Sequence, residues 1–177
     1  PYILASALKD EYPQVIRAAN MRPLSLILKV REETISVRPA IAAGSDIFDI
    51  FTVPLLTGSG DDLLDDLNSI VISAGLAGKV FPGEDPYGRE ITGILNNKEV
   101  LFVVKGVFED LPVNSTFRAE CFVNSRWTLD PINETFKISN ADVNWTMDFW
   151  NTWILLSEGI SPEELENQFR EFEKKNI

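Results

Sequence analysis

The alternation of hydrophobic and polar positions is most regular from Asn68 to Asp110, where it predicts a strand, a short helix and a hairpin. Ser73 follows a β-branched run and can cap the helix. Asn96-Asn97 can supply the positive φ angles of a tight hairpin turn. Val100 to Phe108 is almost entirely apolar, which predicts a strand inside a sheet. Because this stretch carries no cluster of nucleophiles, bases or metal ligands, we interpret it as a rigid core.

The pattern along the rest of the chain predicts further helical and extended segments. Apolar residues on one side predict a helix over residues 2–11, and Pro13 ends it because the residue before a proline avoids helical geometry. Residues 127–148 mix polar and aromatic positions without a clear period. The other apolar or alternating runs predict strands over residues 15–21, 24–31, 34–38, 118–126 and 150–156.

Capping residues mark two further helices. The run from Ser161 to Glu164 has the spacing of a capping box with proline at the first helical position, so it predicts a final helix. Ser45 is a candidate N-cap of a shorter helix. That helix would carry Phe48 and Phe51 on one face, which we interpret as core anchors rather than as a ligand-stacking pair.

Composition narrows the chemistry that this chain can perform. It has no histidine, which excludes Ser-His-Asp and Cys-His nucleophilic systems and histidine-ligated zinc. Cys121 is the single cysteine, so no disulfide forms within the chain, and its apolar surroundings favour a buried, inert thiol. A net charge of −11 with scattered basic residues argues against nucleic acid and against charge-driven docking on anionic lipid.

The densest acidic cluster runs from Asp61 to Asp66. A calcium site is the functional interpretation, but the spacing lacks the alternating oxygen ligands and central glycine of a calcium loop. The leucines between the aspartates favour a short amphipathic turn with a solvated acidic rim. We therefore predict no metal and no cofactor.

Five short motifs, in this order, resemble the extracytoplasmic domain of MacB-like and FtsX-like ABC transporter permeases of the Bacteroidetes type. They are LKDEYPQV at 8–15, SDIFDIFTVPLLTG at 45–58, NSIVISAGLAGKVFPGEDPYGREI at 68–91, FVVKGVFEDLPVNSTF at 102–117 and WNTWILLSEGISPEELE at 150–166. Three positions depart from the family pattern: Thr116 stands where a histidine is frequent, Pro82 displaces a glycine, and Arg89 replaces a lysine.

The resemblance assigns structural roles to motif residues and implies no catalytic residue. The positions that match the family motifs are Pro13, Phe48, Phe51, Gly58, Phe81, Pro86, Gly88, Gly106, Asp110, Pro112 and Asn114.

The family's architecture implies an α+β fold with mixed or antiparallel sheets in two lobes. By position, a porter-like lobe would combine residues 1–40 with residues 146–177, and an inserted sabre-like lobe would span residues 41–145. The sequence itself hints at the same division, because a helix beside strands occurs near each end while the middle is rich in strands.

The resemblance also implies a function without catalysis. The chain would be the periplasmic part of a cell inner membrane permease, and transmembrane helices are expected on both sides of the sequence. Its partners would be those helices, an ABC ATPase subunit or domain, a second copy in a homodimer and a periplasmic adaptor protein. ATP-driven motion would pass through it to that partner or to an exported molecule.

Two other functions are compatible with the residues. A secreted or surface binding module would use tryptophans as an aromatic cleft: Trp127, Trp145, Trp150 and Trp153. We predict that Trp150 and Trp153 lie mainly in the core, which leaves Trp127 and Trp145 as candidate partner contacts. A carboxylate-dependent hydrolase would need an aspartate or glutamate pair, and no recognisable spacing of such a pair is present.

Overall fold

The computed structural model describes residues 1–59, 63–115 and 117–176, and these form an α+β fold, as predicted. The helices are α1 Leu4–Glu11, α2 Ile47–Ile50, α3 Ala74–Val80, α4 Leu129–Phe136 and α5 Pro162–Asn176, with a 3-10 turn at Ser125–Thr128. The strands are β1 Val15–Val30, β2 Glu33–Ala43, β3 Leu55–Thr57, β4 Ser69–Ser73, β5 Glu90–Leu95, β6 Lys98–Phe108, β7 Cys121–Asn124 and β8 Asn151–Leu156.

Six of the strands pair into a closed ring in the order β1, β2, β7, β4, β6, β5 and back to β1. The β2–β7 and β4–β6 pairs are parallel and the other four pairs are antiparallel, so the sheet is mixed. Two strands lie outside the ring: β8 pairs with the first half of β1, and β3 pairs with the end of β6. Closure pairs the edges of the ring strands with one another.

The interior of the ring is filled by alternate residues of its strands, and α3 packs against the same cluster. Phe102 and Val104 of β6 lie there with 0% of their surface exposed, beside Leu28 of β1. A second cluster lies on the outer side of β6 and β7, where Phe108 packs against Phe122 with ring centroids 5.3 Å apart. Both faces are buried in β7 and at the end of β6, over residues 106–108. Earlier in β6 the outer face is open, since Leu101 is 49% exposed, so β6 lies inside the sheet as predicted but is not covered on both faces along its length.

The two ends of the chain pack against each other. α1, α5, β1 and β8 share a third cluster that includes Leu8, Val15, Leu165 and Phe172. Lys175 of α5 forms an ion pair with Glu11 of α1 at 2.8 Å. The lobe boundaries at residues 40/41 and 145/146 stay predictions.

Three local predictions are confirmed. The Ser73 hydroxyl accepts a hydrogen bond from the Leu76 backbone N–H at 3.2 Å and caps α3. Asn96 and Asn97 adopt φ angles of 52° and 61° between β5 and β6. The capping box of α5 is formed, because the Glu164 backbone N–H donates to the Ser161 hydroxyl at 3.2 Å and the Glu164 carboxylate accepts from the Ser161 N–H at 3.4 Å.

Several element bounds differ from the prediction. The two predicted strands at 15–21 and 24–31 are one strand, β1, which runs through Pro23. Strand β2 extends beyond residue 38 to Ala43, and residues 55–57 form a further strand, β3, that was not predicted. The predicted strand at 118–126 is limited to β7, all four residues of which are buried, so its two faces are not distinguished by burial. The strands begin and end where they pair with strands that are distant in the sequence. Local strand propensity carries no information about that pairing, so it does not predict these bounds.

Ser45 does not cap α2. The N-cap residue is Asp46, and the Ser45 hydroxyl instead donates to the Asp65 carboxylate at 2.7 Å. It also accepts from the Leu64 backbone N–H at 3.2 Å. The serine therefore fastens the acidic segment to the start of α2.

Within the described ranges, no helix combines the length and the hydropathy needed to cross a membrane.

Candidate functional site

A buried polar network joins the start of the chain to β1 and β8. Asn20, which is 5% exposed, accepts a hydrogen bond from the Thr152 hydroxyl at 2.8 Å and donates to the Tyr2 backbone carbonyl. An asparagine in the interior is stable only when its amide atoms find partners, and here both do. Asn20 therefore ties the chain's first residues to two paired strands.

The same network continues into the 3-10 turn. The Tyr2 hydroxyl hydrogen-bonds the Ser125 hydroxyl over 2.9 Å, and the Trp150 indole donates to the Thr128 hydroxyl at 2.8 Å. Thr128 in turn donates to the Ser125 carbonyl at 2.6 Å. We call these six residues the junction network: Tyr2, Asn20, Ser125, Thr128, Trp150 and Thr152.

Burial at the junction changes the acidity of Tyr2. Desolvation raises the pKa of its phenol above the ordinary value, and the hydrogen bond with Ser125 offsets part of that effect. The phenol therefore stays neutral at physiological pH, and its contacts are a hydrogen bond and an edge-on packing against Trp150 with ring centroids 5.3 Å apart.

Ion pairs on the surface connect the same parts of the chain. Lys9 of α1 contacts Asp46 at 2.8 Å, and Arg17 of β1 contacts Asp49 of α2 at 2.7 Å. The Asp46 carboxylate also accepts from the Ala18 backbone N–H at 3.0 Å. Exposed ion pairs of this kind contribute about 0–1 kcal/mol each to the stability of the folded state. They therefore stabilise the contact between α1, β1 and α2 only weakly.

A cleft opens beside the junction between β1, the β5–β6 turn and α4. Its volume is about 310 Å³, and its walls include Arg22, Trp127, Phe136 and Phe149. The Arg22 guanidinium lies 5.3 Å from the centre of the Phe149 ring, and its Nη1 is buried without a hydrogen-bond partner. This arginine was not predicted from the sequence, although a lone basic residue between two apolar strand segments is a usable signal.

The four tryptophans do not form one cleft. Trp127 lines the cleft that contains Arg22, which we call the Arg22 cleft, and its indole donates to the Leu67 carbonyl at 2.6 Å. Trp145 lies in a separate apolar groove of about 250 Å³ against Phe172 of α5. Trp150 is buried, as predicted, and Trp153 is half-buried against Phe51 with ring centroids 5.0 Å apart.

Two of the motif glycines meet where β3 crosses β6. Gly58 has a φ angle of +86°, and a Cβ at this position would lie 2.8 Å from Gly106 Cα and still closer to the Lys105 carbonyl oxygen. A Cβ on Gly106 would lie 3.1 Å from the Thr57 carbonyl oxygen. The family motif residues Gly58 and Gly106 thus allow two backbones to approach more closely than side chains permit.

The motif residues from 81 to 110 shape both ends of α3. The Asp110 carboxylate accepts from the Gly75 backbone N–H at 3.0 Å, so it caps the start of α3 together with Ser73. Phe81 is the C-cap residue and packs on the interior cluster.

Pro86 and Gly88 form the turn that follows α3. In this turn the Arg89 N–H donates to the Pro86 carbonyl at 3.0 Å, and Gly88 has a φ angle of +74°.

The other motif residues lie in turns and in aromatic packing. Pro13 is exposed just after α1, as predicted. Pro112 accepts a backbone hydrogen bond from Ser115 at 2.9 Å, and Asn114 is exposed in that turn. Phe48 packs on Phe122 with ring centroids 5.2 Å apart, and Phe51 packs on Phe117 at 4.9 Å, which is the anchoring role predicted for them. Thr116 lies outside the described residues.

Part of the acidic segment is described. Leu63 and Leu64 are buried, Asp65 accepts from Ser45, and Asp66 faces Lys105 at 3.8 Å. Asp61 and Asp62, which belong to the calcium interpretation, lie outside the described residues. Among residues 1–59, 63–115 and 117–176, no three acidic or cysteine side chains gather as a metal site.

Cys121 lies inside the ring with 0% of its surface exposed. Burial is the main reason that the pKa of its thiol is raised far above the ordinary value, and the Glu120 charge adds to the effect. The thiol is therefore unreactive, as the sequence predicts.

Comparisons with known proteins agree with this fold. A family model described as "MacB-like periplasmic core domain" matches residues 1–172. No curated protein matches the sequence.

Three solved structures resemble the chain over nearly its whole length. A domain of a protein described as a permease from Porphyromonas gingivalis has a TM-score of 0.75 and 26% identity, covering 98% of this chain and 76% of that one. The periplasmic region of MacB from Actinobacillus actinomycetemcomitans has a TM-score of 0.66 and 18% identity, covering 97% and 71%. The extracellular domain of the ABC-type transporter YknZ from Gram-positive bacteria has a TM-score of 0.57 and 16% identity, covering 92% and 74%.

Proposed function

The chain belongs to the family of MacB-like periplasmic core domains, and we propose that it relays motion as a rigid, non-catalytic part of an ABC transporter permease. In this proposal, ATP binding on the cytoplasmic side moves the membrane helices. The domain carries that movement to a periplasmic partner or to an exported molecule.

Strand β1 is the observation that carries the proposal. It is a single strand of 16 residues, and at about 3.3 Å per residue it spans roughly 50 Å. Its first half pairs with β8 among the packed chain ends, and its second half pairs with β2 and β5 and closes the ring. A displacement applied at the chain ends therefore reaches the ring along one hydrogen-bonded strand.

The junction network supports the same proposal. It holds the start of the chain against the 3-10 turn and β8 through part-buried hydrogen bonds, which resist sliding because a broken bond would leave a polar group at a buried position such as Asn20 unpaired. A relay must not lose displacement in loop motion, and a network of this kind reduces that loss.

The finer assignments also belong to the proposal. We place the domain on the periplasmic side of the cell inner membrane, next to its own transmembrane helices, with an ABC ATPase subunit or domain as its energy source. Two copies would act as a homodimer. A periplasmic adaptor protein is the proposed partner, and Trp127 and Trp145 are its candidate contacts, since both are half-buried rather than enclosed. The porter-like lobe would be residues 1–40 with 146–177, and the sabre-like lobe residues 41–145.

Movement between the two copies tests the proposal. Leu101 lies on ring strand β6 and is 49% exposed, so a spin label at Leu101→Cys leaves the core intact. In the full permease, the distance between the two labels, measured by pulsed electron paramagnetic resonance, is expected to change when a hydrolysis-deficient ATPase binds ATP. The buried Cys121 is expected to stay unlabelled.

Two results would contradict the proposal. An identical distance distribution with and without ATP means that no motion reaches the ring. The absence of any label-to-label distance means that the domain does not act as a pair. A control with ADP separates nucleotide occupancy from the ATP-bound state.

A further inference from the structure

The Arg22 cleft has the features of a ligand site that transport alone does not explain. The side chain of Arg22 is a guanidinium, a cation that offers five N–H donors in a fixed plane. Its Nη1 is buried and has no hydrogen-bond acceptor among the described residues. A buried donor without a protein acceptor is unfavourable, so an anion that enters the cleft and accepts from Nη1 would stabilise it.

The charge inside the cleft is the opposite of the charge of the chain. The whole sequence has a net charge of −11, yet none of the described residues that line the cleft is acidic. Arg22 is the one ionisable side chain among those described lining residues. The cleft is therefore locally cationic, which matches a carboxylate, the planar anion that arginine binds through two parallel hydrogen bonds.

The walls of the cleft fit a flat apolar body attached to that carboxylate. Phe136 and Phe149 lie with ring centroids 5.3 Å apart and an interplanar angle of 31°, and Phe136 is 47% exposed. Trp127 and Leu24 also line the cleft. Aromatic rings prefer offset stacking, so these surfaces favour a ring over a flexible chain.

The volume of the cleft indicates a small-molecule ligand rather than a larger partner. The volume of about 310 Å³ lies at the lower end of the range of roughly 300–1,000 Å³ that is usual for small-molecule pockets. We propose that this cleft binds a small aromatic carboxylate, with Arg22 on the carboxylate and the aromatic walls around the ring. The site does not depend on the relay proposal, because it would bind its ligand in the isolated chain.

Phenylacetate and its neutral analogue phenylacetamide test the proposal on the purified 177-residue chain. The two probes share the ring and differ in the charge that Arg22 would recognise. In two-dimensional NMR, phenylacetate is expected to shift the indole N–H signal of Trp127 in a saturable way, with a dissociation constant on the order of 1 mM. Phenylacetamide is expected to bind at least about tenfold more weakly. The indole of Trp145, in the separate groove, serves as the internal control.

Two matched variants test whether the Arg22 guanidinium causes the preference for phenylacetate over phenylacetamide. Arg22→Gln is expected to abolish the difference between the two probes, whereas Arg31→Gln, at an exposed position in the β1–β2 turn, is expected to preserve it. Equal binding of acid and amide to the unmodified chain would overturn the proposal without any variant. So would the absence of a saturable shift, or a folded Arg22→Gln variant that still prefers the acid. Failure of the ATP-dependent distance change would leave this result unaffected.

Discussion

Replacing Gly58 with alanine is expected to lower the free energy of unfolding by about 3 kcal/mol or more, the largest effect that we predict for a one-carbon change. The left-handed backbone, at φ +86°, costs an alanine roughly 1–2 kcal/mol. The added Cβ would also overlap the backbone of β6, 2.8 Å from Gly106 Cα, and backbone atoms move aside less readily than a flexible side chain. In a domain of this size the melting temperature should fall by roughly 6–12 °C.

Two other glycines are matched controls for Gly58→Ala. Gly83 has a φ angle of +76° with nothing within 4 Å of the position that a Cβ would occupy, so Gly83→Ala isolates the backbone strain and should cost about 1–2 kcal/mol. Gly78 is exposed within α3 and is equally open, so Gly78→Ala should raise stability by about 0.5–1 kcal/mol. Urea denaturation measures all three, and equal losses for Gly58 and Gly83 would contradict the close crossing of β3 and β6.

Replacing Asn20 with alanine is expected to cost about 2–4 kcal/mol. The change removes two hydrogen bonds at a position that is 5% exposed and leaves the Tyr2 carbonyl and the Thr152 hydroxyl without their partner. Each buried polar group left unpaired costs about 1–3 kcal/mol. Because the bonds of Asn20 join the start of the chain to β8, hydrogen exchange in residues 2–5 should accelerate more than exchange in β6.

A double-mutant cycle with Thr152→Val identifies the contact. If the two side chains interact as described, the double variant should lose less stability than the sum of the single variants, by about 0.5–1.5 kcal/mol. Asn140→Ala, at an exposed position, is the control and should change stability by less than about 0.5 kcal/mol. Strict additivity of Asn20→Ala and Thr152→Val would contradict the junction network.

Features set by neighbouring residues could be predicted from the sequence. The α5 capping box depends on residues three positions apart, and the Asn96-Asn97 turn depends on two residues that tolerate positive φ. The burial of Cys121 followed from an apolar run. Each of these features is determined by residues within one turn or one strand, so the local sequence pattern predicts it.

Features set by distant residues were missed. Helix α4 was missed although Leu129, Ile132 and Phe136 have the spacing of one helical face. Its buried side chains Leu129 and Ile132 share a cluster with Trp150, some twenty positions away. Pro23 resembles a break between two strands, yet pairing with β2 carries β1 through it. The hydrogen bonds of the junction network join residues up to 132 positions apart, and no local pattern encodes that proximity.

The relay proposal requires the domain to move as one body, and a distance within one copy tests this requirement most directly. Spin labels at Leu101→Cys in β6 and Arg170→Cys in α5 lie at exposed positions in the ring and among the packed chain ends. The full permease would be assembled with an excess of unlabelled copies, so that pairs within one copy dominate. We predict a narrow distance distribution that stays unchanged between the nucleotide-free and ATP-bound states, and that Asn20→Ala broadens. A shift of that distance on ATP binding would show that the domain bends, which contradicts a rigid relay.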